Sequence, residues 1–349
     1  MEKSPMEMDY YELDTLLDSF LKAEDLPSSV EYSSDAINYH RYSKYRIVIK
    51  ALFRIIEADL FYRTYIKRKI SSFKKAGIFK SFRLYFYILK IGFADFITHY
   101  FLTKNPILVD IRGKFDDKLL ANYVIAAMLY DASCDDVSCR KYLREFNDFI
   151  MFNKAIKSSD EYLTLFKESI DYIKSAVGKK RFDKFMNYIK IEHISQLMSI
   201  YQLSDKLVSR DNLFKVTLAK GGITGLAGMY MILPDLNKKE RKAIYEFAGV
   251  CQIFEDIYDI YEDLENGIQT LPNQKLINLQ NLKQLYFGTI NNLIKKCNLN
   301  PNRPNVTLDI ACWLAELLPG RRYNRFIERK FSQIQKKESY SHVEMKIVH

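Results

Sequence analysis

The chain has 349 residues, 53 Lys and Arg against 43 Asp and Glu, a net charge of +10, and 48% apolar residues. That composition excludes a disordered or collagen-like polymer and is long enough to bury a large core. Only 12 glycines and 8 prolines interrupt it, and no stretch alternates with a period of two, so the expected class is all-α.

In chain order, a helix is expected over Asp9 to Lys22, followed by a Ser-rich connector. The segment from Arg41 to Arg83 carries thirteen Lys or Arg against two acids and is rich in aromatic residues. Such a face suits peripheral contact with acidic lipid headgroups or the outside of a bundle, and no nucleic-acid motif accompanies it. The apolar run Leu84 to Leu102 holds Lys90, Asp95 and His99. Charges at mid-span are costly, so a core helix is expected rather than a membrane crossing. One long helix is expected from Asp116 to about Phe149, then helices over Asp160–Ala176, Lys180–Ser204, Asp205–Lys220, Lys238–Glu265, Asn281–Cys297 and Val306–Leu318. The five cysteines show no disulfide or zinc-site spacing, which fits a reducing compartment, and the acidic start is not a secretory signal. A cytoplasmic protein, associated with membranes through residues 41–83 if at all, is the expectation.

Two acidic motifs stand out in this basic chain. Glu255, Asp256, Asp259, Glu262, Asp263 and Glu265 fall within eleven residues. Glu255, Asp259 and Asp263 are spaced i, i+4, i+8, one row on a helix. Like charges in a row repel, and the large apolar residues between them bury the helix, so a cation is expected to neutralise the row. For an all-oxygen set that cation is Mg²⁺ or Mn²⁺. Upstream, Asp131, Asp135 and Asp136 end an apolar helix, 128 residues before Asp259. Two carboxylate rows suit a diphosphate substrate bridged by metal ions: the metals neutralise the leaving group, and the cation formed then needs a dry aromatic cavity. The 25 tyrosines and 23 phenylalanines supply the material.

These motifs and their separation resemble those of the class I isoprenoid synthases, which include polyprenyl diphosphate synthases, squalene and phytoene synthases and class I terpene cyclases. Asp259-Ile-Tyr-Glu-Asp263-Leu-Glu-Asn-Gly267 through Pro272 resembles the second motif of the squalene/phytoene branch, and Asp131 to Asp136 its first. The resemblance covers residues 115 to 275. It implies an isoprenoid-synthase-type helical bundle around a central apolar cavity, divided into an N-terminal extension (1–105), an α-domain (106–335) and a tail (336–349). It implies Mg²⁺, three ions, with Mn²⁺ as a substitute, a prenyl diphosphate substrate and a homodimer. Asp131, Asp135, Asp136, Glu255, Asp256, Asp259 and Asp263 are the metal ligands by this reading. Arg210, Lys215 and Lys220 would cap the diphosphate, with Gly221-Gly222 breaking a helix so that N–H groups face the phosphate. Arg321, Arg322 and Tyr323 resemble a C-terminal pair that closes over the site in some cyclases. Glu255 and Tyr258 depart from the squalene/phytoene pattern, and no Arg pair follows Asp135-Asp136. A terpene cyclase is therefore the first expectation and head-to-head condensation the second. A non-catalytic helical protein on a membrane surface is the reading from another class. His193 and Trp313 are read as core residues.

Overall fold

In the computed structural model, the residues described are 3–30, 116–135, 139–157, 160–203, 209–233, 235–258, 260–265 and 267–298. They form helices joined by turns, with no strand among them, so the fold class is all-α. The helices are α1 (Tyr10–Glu24), α2 (Asp117–Asp135), α3 (Leu143–Phe152), α4 (Glu161–Val177), α5 (Lys179–Ile200), α6 (Arg210–Ile232), α7 (Lys238–Tyr258), α8 (Ile260–Glu265) and α9 (Leu279–Lys296). The expected Val306–Leu318 helix, the basic Arg41–Arg83 face, the Leu84–Leu102 run, Asp136, Asp259, Trp313 and the Arg321, Arg322, Tyr323 group lie outside the described residues.

Local chemistry sets most of the starts. Asp9 and Glu12 form a reciprocal capping box for α1, and Asn237 and Glu240 do the same for α7 at 2.8 and 3.0 Å. Asp116 accepts from the N–H groups of Lys118 and Leu119 before α2. Ser209 and Asn278 cap α6 and α9 from their side chains. Between α4 and α5, Gly178 sits at φ +77°, a backbone position that side-chain-bearing residues rarely adopt.

The single helix expected from Asp116 to Phe149 is divided. α2 ends at Asp135, a 3₁₀ turn spans Arg140–Tyr142, and α3 follows. The Ser133 hydroxyl donates to the Tyr130 carbonyl at 2.6 Å, and short polar side chains of this kind compete with the helical ladder. Tyr142 stacks on Tyr162 with centroids 4.5 Å apart and donates to Asp160. The turn is thereby held against the start of α4.

α5 is the central element. Every residue from Ile191 to Met198 is buried, because α1, α2, α3, α4 and α6 all pack around this helix. A helical section buried on its whole circumference cannot be amphipathic in the usual way, and its polar residues must find partners inside. α6 packs most extensively on α7, which in turn carries α9.

The glycine pair in α6 corrects an expectation. Gly221 and Gly222 do not break a helix; α6 runs through them from Arg210 to Ile232. A Cβ on Gly222 would stand 2.6 Å from Tyr245 Cδ2 and 2.7 Å from the Tyr245 carbonyl, and one on Gly249 would stand 2.6 Å from the Leu218 carbonyl. The glycines let α6 and α7 approach backbone to backbone, so their role is packing. No N–H of that pair is released toward a ligand, since mid-helix N–H groups are already bonded to carbonyls.

α1 docks mainly on α5 through Leu13, Leu17 and Leu21, all buried. Its acidic side chains reach three other helices. Glu24 pairs with Lys184 of α5 and Asp25 with Lys238 of α7. Asp14 and Asp18 take Lys215 of α6 at 2.5 and 3.1 Å. Cys134, Cys139, Cys251 and Cys297 are in no disulfide. Among the described residues no helix is long and apolar enough to cross a membrane.

Candidate functional site

Three helices bring the site together. α2 contributes Asp131, half-buried at the end of a run, Leu119 to Tyr130, that is otherwise almost wholly buried. α5 contributes Glu192 and Gln196, one turn apart on one face. α6 contributes Lys220 and Thr224, again one turn apart. The Gln196 carboxamide donates from Nε2 to Asp131 Oδ1 at 3.0 Å. The Thr224 hydroxyl lies 2.8 Å from the Lys220 carbonyl and 3.0 Å from Glu192 Oε1. Tyr123 of α2 donates its O–H to the Thr224 carbonyl at 2.8 Å. α2, α5 and α6 are thus tied by polar bonds inside the bundle, where each such bond excludes alternative registers.

Glu192 is the most perturbed carboxyl of the group. Only 6% of its surface is exposed, and this burial pushes its pKa up to about 7. The Thr224 hydroxyl opposes the rise, the negative Asp131 adds to it, and Lys220 opposes it. Glu192 therefore senses the acid of α2 and the ammonium of α6 together. When protonated it reverses its bond with the heavy atoms in place: the carboxyl O–H donates to Thr224 Oγ1, whose own proton goes to the Lys220 carbonyl.

The residues next along the same helices make a different network. His193, with no exposed surface, has Nδ1 2.7 Å from the Tyr130 hydroxyl and Nε2 3.0 Å from Asn147 Oδ1. Asn147 donates in turn to the Ser4 hydroxyl at 3.1 Å. With Tyr130 donating and Asn147 Oδ1 accepting, the imidazole is neutral and protonated on Nε2. Burial lowers its pKa to about 3. The sequence-based reading of His193 as a core residue agrees with this placement.

The other sequence-derived residues are distributed as follows. Asp135 is the last residue of α2. Glu255 is exposed and Asp256 partly buried near the end of α7, and Asp263 is partly buried in α8. Glu255 and Asp256 lie on α7 and Asp263 on α8, and Asp259 between the two is outside the described residues. Arg210 is exposed at the first turn of α6, more than two turns before Lys220. Lys215 departs from its expected role: its ammonium is taken by Asp14 and Asp18 of α1. Burial works against that charge, while the hydrogen bonds to Asp14 and Asp18 outweigh it and raise the pKa. Sequence reasoning missed Glu192, Gln196 and Thr224. The available signal was a Glu and a Gln at i, i+4 amid the apolar run Ile191 to Met198, since polar groups in such a run must be bonded inside.

The hard oxygens described at the site are the carboxylates of Asp131 and, on α5, Glu192, a kind of donor that Mg²⁺ takes, while the Gln196 amide turns its nitrogen to Asp131. Among the described residues no group of three or more His, Cys, Asp or Glu is arranged to hold a metal ion. No protein-family profile matches the sequence, and no curated protein matches it. Among solved structures, the crystal structure of a geranyltransferase from Legionella pneumophila aligns with a TM-score of 0.42 at 14% identity, over 78% of this chain and 98% of that one.

Proposed function

We propose that this chain is a Mg²⁺-dependent class I isoprenoid synthase that ionises a prenyl diphosphate, with cyclisation of the resulting carbocation as its reaction. The observation that carries the reading is the convergence of Asp131, Glu192, Gln196 and Lys220 from three buried helices of an all-α bundle. A solvated helix end does not need such an arrangement, whereas a charged substrate does.

In this reading Asp131 holds metal together with Asp135 and Asp136, and Glu255, Asp256, Asp259 and Asp263 form the second ligand set by their spacing. When bound, Mg²⁺ neutralises the diphosphate so that the allylic C–O bond can ionise. Lys220, with its carbonyl bonded to Thr224, supplies positive charge toward the same group. Arg210, Arg321, Arg322 and Tyr323 remain assigned to the diphosphate by sequence alone, and Lys215 is reassigned to the α1 contact.

The test is a product assay with purified protein, Mg²⁺ and farnesyl, geranylgeranyl or longer diphosphates, read by gas chromatography and by diphosphate release. Cyclic hydrocarbons or alcohols are expected. Products of two prenyl units joined head to head would replace cyclisation by condensation. No diphosphate release at any chain length would reject the enzyme reading in favour of a helical protein acting at a membrane surface.

A further inference from the structure

Asp131 meets one of its hydrogen-bond donors from the side of α5. Gln196 Nε2 lies 3.0 Å from Asp131 Oδ1, and Gln196 itself is 2% exposed. The carboxamide has a preferred sense: an ionised carboxylate only accepts, so Nε2 must face it and Oε1 must point away. On that far side the Ser199 hydroxyl lies 3.4 Å from Oε1 and 2.7 Å from the Gln196 carbonyl. The side chain is therefore fixed at its nitrogen by the carboxylate, while its oxygen has only a long contact to Ser199, whose proton goes to the nearer main-chain carbonyl. One turn earlier, Glu192 is fastened to α6 by Thr224, so the section of α5 that carries Gln196 is fixed against both neighbours.

We propose that Gln196 is a positioning residue that fixes the rotamer of Asp131, occupying Oδ1 so that the rest of the carboxylate is presented to a metal-diphosphate ligand. The inference rests on the metal-diphosphate reading above. Its energetic basis is general: a hydrogen bond behind a ligating group removes rotamer freedom before binding, and loss of such a partner typically costs about 10–100-fold in metal affinity.

The experiment uses the full chain, with Mn²⁺ and inorganic diphosphate as probe, and bound Mn²⁺ counted by electron paramagnetic resonance. Gln196→Met should raise the Mn²⁺ dissociation constant about 10–100-fold, with Gln196→Asn, too short to reach Oδ1, giving a similar loss and guarding against a folding failure of the first variant. Ser195→Ala is the control. Its hydroxyl, which donates to the Glu192 carbonyl at 2.8 Å, touches α5 but not Asp131, so its removal should leave Mn²⁺ affinity unchanged. Wild-type affinity in a folded Gln196 variant, or an equal loss in Ser195→Ala, would overturn the positioning role while leaving the site reading in place. Absence of Mn²⁺ binding by the wild type with diphosphate would overturn both.

Discussion

Two polar networks stand side by side on the same pair of helices, and they differ in almost every property that matters for chemistry. Tyr130 and His193 belong to one; Asp131 and Glu192 belong to the other. One step along an α-helix turns a side chain by about 100°, so neighbours in sequence look into different surroundings. The first network is neutral and closed, with His193 bonded on both ring nitrogens and Asn147 passing the chain on to Ser4. The second is charged: Asp131 is only half-buried, Glu192 titrates near neutrality, and Lys220 acts on it from α6. Polar burial alone therefore does not identify a site. A buried neutral group whose partners complete it is architecture, and the set of unlike charges brought together from several helices is where a ligand is proposed.

The largest test of this contrast is Asp131→Asn. If the charged network is the catalytic one, diphosphate release should fall by about 10³-fold, the loss of about 4 kcal/mol of metal-borne stabilisation, while the melting midpoint stays within a few degrees of wild type. A variant with full activity would place the chemistry elsewhere.

His193→Leu probes the closed network in the opposite sense. It leaves the Tyr130 hydroxyl and the Asn147 carboxamide buried without their shared partner, so stability should drop by about 3 kcal/mol. Activity per folded molecule should survive, and chemical denaturation beside a rate measurement separates the two effects.

Gly222→Ala comes next. It forces a Cβ against Tyr245 and so shifts the helix that carries Lys220 and Thr224. A loss of about 1–3 kcal/mol is expected from overpacking, with a lowered rate as well, since the charged network includes α6 and the closed one does not.

Smaller effects appear in the pH dependence of stability, where the networks carry opposite signs. His193 has a pKa lowered to about 3 in the fold against about 6.5 in an unfolded chain. The unfolded state binds the extra proton between those values, so stability falls as pH drops from 6.5 toward 3. Glu192 has a pKa raised to about 7 against about 4.3 unfolded. The folded state holds the proton longer, so its contribution is present below the unfolded value and is lost as pH rises through 7. The two windows overlap between about 4.3 and 6.5, where the contributions cancel, so Glu192→Gln should uncover a rise of stability with pH there and His193→Leu a fall, measured as denaturation midpoints across pH.

Lys215→Met should have the smallest effect on catalysis. It removes the pairs with Asp14 and Asp18, partly solvated contacts worth about 1 kcal/mol, and a rate close to wild type would confirm that this lysine serves α1. A loss as large as that of Asp131→Asn would return it to the diphosphate.

How much of this was legible in advance follows the range of the forces involved. The helix starts at Asp9, Asp116 and Asp160 could be read directly, because a cap acts on N–H groups two or three residues away. The apolar run around Asp131 was readable for the same reason. The break after Asp135 was missed, since the stacking of Tyr142 on Tyr162 that holds the turn joins residues twenty apart in sequence. Asp131 was found by its motif, yet its partner Gln196 lies 65 residues on, and nothing local to IEHISQ announces that the Gln meets an acid while the His meets a tyrosine.

The sequence by itself determined the all-α class, most helix boundaries and the presence of acids on apolar helices, all consequences of capping and periodicity within a few residues. Tertiary structure alone decided that Gly221-Gly222 would continue a helix rather than end it, that Lys215 would belong to α1, and that Glu192 and Gln196 would stand beside Asp131. Each of those outcomes depends on which helix packs against which, and that is fixed only when the backbone of α6 closes on α7 and the Ile191 to Met198 section of α5 is enclosed.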